Sequence, residues 1–412
     1  MKRLLACFLL IFPFASRGGE TDWAEFRGQG SEASLTGKLP VEWSDQNGIA
    51  WQTDLSGFGQ SSPVVYGGTV WVTSTAGDRK ESLIVEGFDL KSGERTTHFE
   101  TSTKETVEEV TKMISQGAPT PVVDELGLYA FFESGDLIAL SPTGEERWRR
   151  SLVEEFGPFI GGHGIGSSLT QNDEHLFVLV DHDGPSYLLA VNKSDGNTAW
   201  KTDREPRVSW TSPLYFEEGG KSFLAISSNG QLAVYKATSG EMLASIDGLE
   251  GNNVPSPTWT GASFLIGSSA PQQSRAVSMT LSDDGSVELK DAWKVGSVTS
   301  SFASPIAFRG MGFFVNRAGV LQSVSLENGE TRWETRLPAS TWASPLVAGD
   351  HLYFFCQNGT TVILSPTLEG PGNPIAENVL VRSEEDRLYG IAAVEETIVL
   401  RFGSELIAVG GN

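Results

Sequence analysis

The sequence predicts an all-β chain folded as an eight-bladed β-propeller of four-stranded antiparallel blades, with the N-terminal strand pairing into the C-terminal blade to close the ring. Three observations predict it: eight evenly spaced marks, a recurring Gly-to-Trp spacing, and a lone outer strand near the N-terminus. The composition agrees. Among 412 residues, 46 Gly and 11 Trp with 20% charged residues suit many short strands joined by tight turns.

The marks come first. A small residue, then Pro, then an apolar run occurs as Ser62-Pro63-Val64-Val65, Thr120-Pro121-Val122-Val123, Ser212-Pro213-Leu214, Ser256-Pro257, Ser304-Pro305-Ile306 and Ser344-Pro345-Leu346-Val347. Ser168-Leu169 and Ile391-Ala392 are degenerate copies in the right places. Neighbouring marks lie 40 to 58 residues apart, which is one four-stranded unit each.

Within each unit a strand follows the mark, then a short strand with Ala or Ser in its middle, as in Leu137-Ile138-Ala139-Leu140 and Leu188-Leu189-Ala190-Val191. A turn with Gly comes next, and Trp stands four residues after that Gly: Gly144 to Trp148, Gly196 to Trp200, Gly329 to Trp333, with Trp293 a looser copy. Gly permits the positive φ of a hairpin turn. Ala leaves room for an indole that docks on the neighbouring blade. Ala244 stands where blade four's Trp belongs, blade seven has no clear Trp, and Phe99 is the expected substitute in blade one.

The two ends complete each other. The last strand, Leu406-Ile407-Ala408-Val409, carries the Ala but has no Trp after it. Trp51-Gln52-Thr53-Asp54-Leu55 looks like Trp333-Glu334-Thr335-Arg336-Leu337 and is an outer strand without a blade. Trp51 is therefore expected to complete blade eight, which leaves no open sheet at the join.

The Ala-x-x-x-x-x-Gly-x-x-x-Trp pattern resembles the tryptophan-docking repeat of PQQ-like propellers, a family that includes quinoprotein dehydrogenases and the outer-membrane assembly factor BamB. The likeness covers nearly the whole chain after about residue 44. Before it, Trp23-Ala24-Glu25-Phe26-Arg27-Gly28 resembles a leader found ahead of exported bacterial PQQ-like propellers, particularly in planctomycetes. Trp23 and Phe26 are expected to pack on the ring as an apolar clasp, with partner binding as the other reading.

Met1-Lys2-Arg3 followed by an apolar run from Leu4 to Ala15 reads as a secretory signal, cleaved after Ala15 or Gly18. Leu4-Leu5-Ala6-Cys7 looks like a lipoprotein box, but the apolar run lies mostly after Cys7. The expected organisation is a signal at 1–19, an extension packing on the ring at 20–43 and the propeller at 44–412. No later stretch is long and apolar enough to span a membrane. The formal charge of −22 opposes binding to nucleic acid or anionic lipid. Cys7 and Cys356 are the two cysteines, so no intramolecular disulfide is expected once the signal is removed.

Motifs for zinc hydrolases, covalent haem and nucleophile elbows are absent. The glycines of Gly161-Gly162-His163-Gly164-Ile165-Gly166 do not match a dinucleotide fingerprint. Asp181-His182-Asp183-Gly184 and Asp283-Asp284-Gly285 read as hairpin turns, since calcium wants six or more oxygens. No metal site and no catalytic residue is expected.

In a propeller the innermost strands line a central channel, so residues just before the marks form its mouth. These are Gln60, Gln116, His163, Trp210, Asn252, Asn253, Phe302, Trp342 and Tyr389. Aromatic faces and amides together suit a flat polar ligand. For any one of these residues, capping a turn or packing against the next blade is the favoured reading. Trp51, Trp148, Trp200, Trp293 and Trp333 are expected to be structural.

Two functions follow. The first is a non-enzymatic, monomeric scaffold in the periplasm or cell envelope, binding a protein partner and no cofactor. The second, implied by the quinoprotein members of the family, is an oxidoreductase with PQQ and calcium in the channel. Those members use an Asp base and often adjacent cysteines, which are absent here.

Overall fold

A computed structural model describes residues 21–28, 34–35, 37–103, 117–251, 253–383 and 386–411. The expected signal lies outside them. Eight sheets follow one another in the chain. Blade one comprises Val64–Tyr66, Thr69–Ala76, Ser82–Asp89 and Arg95–Ser102. Blades two to six repeat this from inner to outer strand over 122–151, 170–204, 214–249, 258–294 and 306–336. Blade seven spans Leu346 to Val379 and gains a parallel inner strand, Ser34–Leu35. Blade eight takes Leu388–Val394, Thr397–Phe402 and Glu405–Gly410 from the C-terminus and Ile49–Asp54 from the N-terminus. The closing register pairs Trp51 with Ala408, as expected.

The Trp repeat is a relay around the rim. Each docking Trp lies opposite a small residue of its own blade: Trp148 with Ala139, Trp200 with Ala190, Trp293 with Ala276, Trp333 with Ser323. Its indole N–H reaches a carbonyl of the next blade, from Trp51 to Leu90, Trp148 to Lys193, Trp200 to Ala237, Trp293 to Leu326 and Trp333 to Thr367, at 2.7–3.0 Å. The ring then seats on the turn glycine of that next blade. A Cβ on Gly93, Gly196, Gly240 or Gly329 would come within 2.3–2.8 Å of the arriving indole, and all four have positive φ. These glycines therefore serve both the turn and the neighbour's Trp.

In blade one the sequence expectation is corrected. Gly87 pairs with Thr97, and Thr97 meets Gly144 of blade two, so Thr97 holds the docking position. Phe99 pairs with Val85 and packs on a cluster holding Trp71 and Leu83. In blade four, Ala244 pairs with Val234 at the docking position.

The marks also acquire a cause. Each Ser or Thr hydroxyl accepts the backbone N–H of the preceding mark: Ser62 to Thr120, Thr120 to Ser168, Ser168 to Ser212, Ser212 to Ser256, Ser256 to Ser304 and Ser304 to Ser344, at 2.9–3.3 Å. A girdle of hydroxyls thus links seven blades around the channel. It satisfies buried amides at the strand starts, which have no ladder partner there. In blade eight, Gly390 takes this place, and a Cβ there would lie 2.4 Å from the Ser62 hydroxyl.

Candidate functional site: a plugged channel with an aromatic mouth

The leader enters the channel. Trp23 exchanges two backbone hydrogen bonds of 2.8 Å with Val65 of blade one, and Ala24 O accepts from Val123 N of blade two. Glu25 and Gly28 bond each other across a tight turn. Glu25 Oε2 accepts from Thr170 Oγ1 at 2.8 Å and from Gln171 N in blade three. On the other side, Arg27 donates to Pro257 O at 3.1 Å, Thr258 Oγ1 at 2.6 Å and Pro305 O in blades five and six. Gly28 has φ of 82°, and a Cβ there would press on the Trp23 ring at 3.0 Å. The spacing of the motif is now explained. Trp23 anchors, Glu25 and Arg27 brace opposite walls, and Gly28 lets the turn close.

Phe26, at the tip of this turn, stands at the level of the serine girdle. Two residual cavities of about 10 Å³ flank it, bounded by Leu169, Ser212, Pro213 and Ser256 on one side and Ser62, Ser344 and Ile391 on the other. Each holds about one water at most. Trp23 is buried in the main core cluster, so the leader holds the inner strands by apolar packing beside these polar contacts. The leader lies inside the channel, and its grip is polar as well as apolar.

Around the mouth, the structure brings four aromatic rings from four successive blade junctions into one arc. Phe302 stacks on Trp342 with centroids 4.6 Å apart and planes 6° apart. Trp342 meets Tyr389 edge-on at 5.7 Å, and Tyr389 meets Phe58 edge-on at 6.0 Å. Trp342 Nε1 donates to Gln357 Oε1 at 2.9 Å, and the Tyr389 side chain bonds Gln60. Burial raises the Tyr389 phenol above its ordinary value, so it stays protonated. Phe58 and Gln357 escaped sequence reasoning. The one visible sign of Phe58 is its setting between Gly57 and Gly59. Its ring lies on Gly403, where a Cβ would approach to 2.1 Å.

The remaining expected residues lie apart from this arc. Exposed His163 meets Trp210 edge-on at 5.6 Å, and Trp210 Nε1 donates to Gly164 O. Asn253 is 1% exposed, and its backbone oxygen accepts from Trp210 N. Neither polar atom of its side chain has a partner among the described residues. Gln116 and Asn252 lie outside the described residues.

A buried charge lies beside the arc. Arg401 is wholly buried beside Tyr389 and donates only through Nη2, to Ser74 Oγ at 3.0 Å, Gly403 O and Thr73 O. Among the described residues its Nε and Nη1 have no partner, and burial pulls its pKa down to about 9. The Asp181-His182-Asp183-Gly184 segment is a hairpin. Asp181 pairs with Arg204 at 2.8 Å, and His182 Nδ1 accepts from Ile160 N and Gly184 N. Burial lowers the His182 pKa, keeping the ring neutral. Among the described residues, no three His, Cys, Asp or Glu side chains converge as metal ligands.

A family model described as outer membrane protein assembly factor BamB matches residues 33–158. No curated protein sequence matches the chain. Similar solved structures include BamB from Moraxella catarrhalis, at 13% identity and a TM-score of 0.63, covering 88% of this chain and 99% of that one. The quinohemoprotein alcohol dehydrogenase of Comamonas testosteroni is 12% identical with a TM-score of 0.62, covering 95% and 81%. A europium-containing methanol dehydrogenase is 10% identical with a TM-score of 0.64, covering 95% and 98%. These likenesses extend to proteins named as an assembly factor and as dehydrogenases alike, and what they show for this chain is the fold, an eight-bladed β-propeller.

Proposed function

We propose that the chain is an exported, non-enzymatic propeller that binds a protein partner in the cell envelope through its channel mouth. The observation that carries this reading is the plug. With residues 23–28 braced across the channel, the space beneath the girdle is filled by the chain itself. Among the described residues, the mouth presents aromatic faces and amides, groups suited to gripping peptide backbone and apolar side chains. The family match to an assembly factor and the apolar N-terminal run support an envelope location.

The second reading is a PQQ- and calcium-dependent oxidoreductase. The stacked Phe302 and Trp342 favour it, because flat rings suit a flat cofactor. The donor set does not fit the metal. Calcium wants six or more oxygens, and no acidic cluster is assembled among the described residues. No reaction step is derived through that cofactor.

One experiment decides between them. A photo-crosslinking residue at Trp342 in the native envelope is expected to capture one reproducible protein, with purified protein showing no PQQ binding in calcium. Stoichiometric PQQ binding with alcohol-dependent dye reduction would overturn the scaffold reading.

A further inference from the structure

Blade seven departs from its neighbours at the rim. Seven large apolar side chains are exposed among the described residues, and four of them, Leu368, Ile375, Val379 and Val381, lie within fourteen positions of the chain. The outer strands of blades five and six expose polar or charged groups instead, such as Glu288, Lys290 and Lys294 in blade five, or Arg332, Glu334 and Arg336 in blade six, and that of blade four exposes one apolar side chain, Met242. The outer strand of blade seven, Ala376–Val379, has one strand neighbour and forms the edge of its sheet. Its side chains alternate. Asn378 and Leu380 are buried, while Ile375, Glu377, Val379 and Val381 face outward, at 49%, exposed, 45% and 72%. The buried side is occupied by residues 41–45, since Asn378 bonds Trp43 N and Val41 O. Among the described residues no element covers the outward side, and at the strand's end the Val381 N–H is held by Asp45.

An exposed apolar edge strand invites another strand, and most proteins blunt such edges with charge, Pro or bulges. Here the surroundings say what kind of strand fits. Glu377 sits within the apolar row, and Glu369 is exposed on the preceding turn. The nearby cation, Arg382, is committed to Asp45 and Glu405. A second copy of this chain is a poor occupant. Antiparallel edge pairing would bring the two Glu377 side chains together on two bodies of charge −22.

We propose that this edge docks an extended segment of another protein by strand addition. In that segment one Lys or Arg faces Glu377, with apolar residues two positions away on either side facing Ile375 and Val379. The inference rests on the scaffold reading but places a second contact on the outer rim, away from the mouth.

The test uses the full mature chain and a capped, fluorescent peptide, Thr-Val-Thr-Lys-Thr-Val-Thr, followed by anisotropy. Binding is expected to weaken about fivefold with Glu377→Lys. It should recover when that variant meets the same peptide carrying Glu in place of Lys. Val379→Asn with Val381→Asn should weaken both, while Lys290→Ala on the outer strand of blade five leaves the affinity unchanged. No binding by the wild-type chain, binding indifferent to Glu377→Lys, or ready disulfide formation between copies of Val379→Cys would each overturn the proposal. A failure here with successful capture at the mouth leaves the scaffold reading intact, and loss of both removes it.

Discussion

The seam between blades six and seven and the seam between blades seven and eight solve one problem by different means. At the first, Trp333 leaves its own outer strand, buries its ring against the next blade and donates to Thr367 O at 3.0 Å. Blade seven has no Trp in its outer strand to repeat the step. There the chain brings an indole from elsewhere. Trp43 is buried in the same core cluster as Tyr353, Leu380 and Leu406. The Tyr353 hydroxyl donates to Pro40 O at 3.3 Å, Asp45 accepts from Val381 N, and Arg382 spans Asp45 and Glu405. The difference teaches that the docking Trp is a role rather than a position. A missing member of the repeat can be replaced by a segment more than three hundred residues away in sequence.

The largest expected effect tests that equivalence. Trp333→Ala and Trp43→Ala should each destabilise the fold by about 3–5 kcal/mol, the usual cost of removing a buried indole. Denaturant midpoints at constant m provide the measurement. Should Trp43→Ala cost under about 1 kcal/mol while Trp333→Ala costs the full amount, residues 39–45 are a covering and not a seam.

A third seam, between blades one and two, lacks Trp as well and shows what charge can do there. Thr97 is too small to fill the docking place, and Arg149 of blade two donates to Thr101 Oγ1 and Ser102 O of blade one. Nearer the mouth, Lys80 and Glu133 meet across the seam at 3.3 Å, both buried. Burial outweighs the lysine's attraction and lifts the Glu133 carboxyl to about 7, from an ordinary 4.5. The sign follows from linkage. Between pH 4.5 and 7 the unfolded chain has released this proton and the native chain still holds it, so Glu133 makes stability fall as pH rises through that window. Glu133→Gln should therefore gain on the wild type from pH 4.5 to 7, by roughly 1–3 kcal/mol, with a constant offset outside it. Melting temperatures at pH 5 and pH 7.5 read the slope. A variant that loses ground as pH rises would mean that the ionised pair stabilises this seam.

The relay and the ring closure were legible in the sequence because each rests on a short spacing. Gly-to-Trp spans four residues, and Trp51 carries the same local pattern as Trp333. The serine marks were legible as spacers but not as a hydrogen-bonded girdle, because each link joins residues 40 to 58 apart. The plug was half legible. The motif announced that Trp23 and Phe26 pack somewhere, yet the targets of Glu25 and Arg27 lie some 145 to 278 residues away. The mouth was read from position alone. That found Phe302, Trp342 and Tyr389 and missed Phe58, which joins them only through the closure of blade eight on blade one. It also placed Asn253 at the mouth, and the fold buries that side chain while its backbone oxygen accepts from Trp210 N.

The smallest expected effect sharpens the first comparison by separating packing from hydrogen bonding in the seam that Trp43 closes. Asn378 holds residues 41–43 with two bonds: its Nδ2 donates to Val41 O at 3.0 Å, and its Oδ1 accepts from Trp43 N at 2.9 Å. Asn378→Leu removes both and leaves the Trp43 amide buried with no acceptor, which should cost about 1–3 kcal/mol. At mildly acidic pH, where a buried Asp carboxyl is protonated, Asn378→Asp keeps the acceptor and a donor toward Val41 O, so it should cost about half as much there. Equal losses for the two variants would mean that side-chain shape, not the bond to Trp43, positions the borrowed indole. A graded loss, with Trp43 fluorescence shifting to the red in Asn378→Leu alone, would show that a single backbone amide sets where the replacement Trp sits.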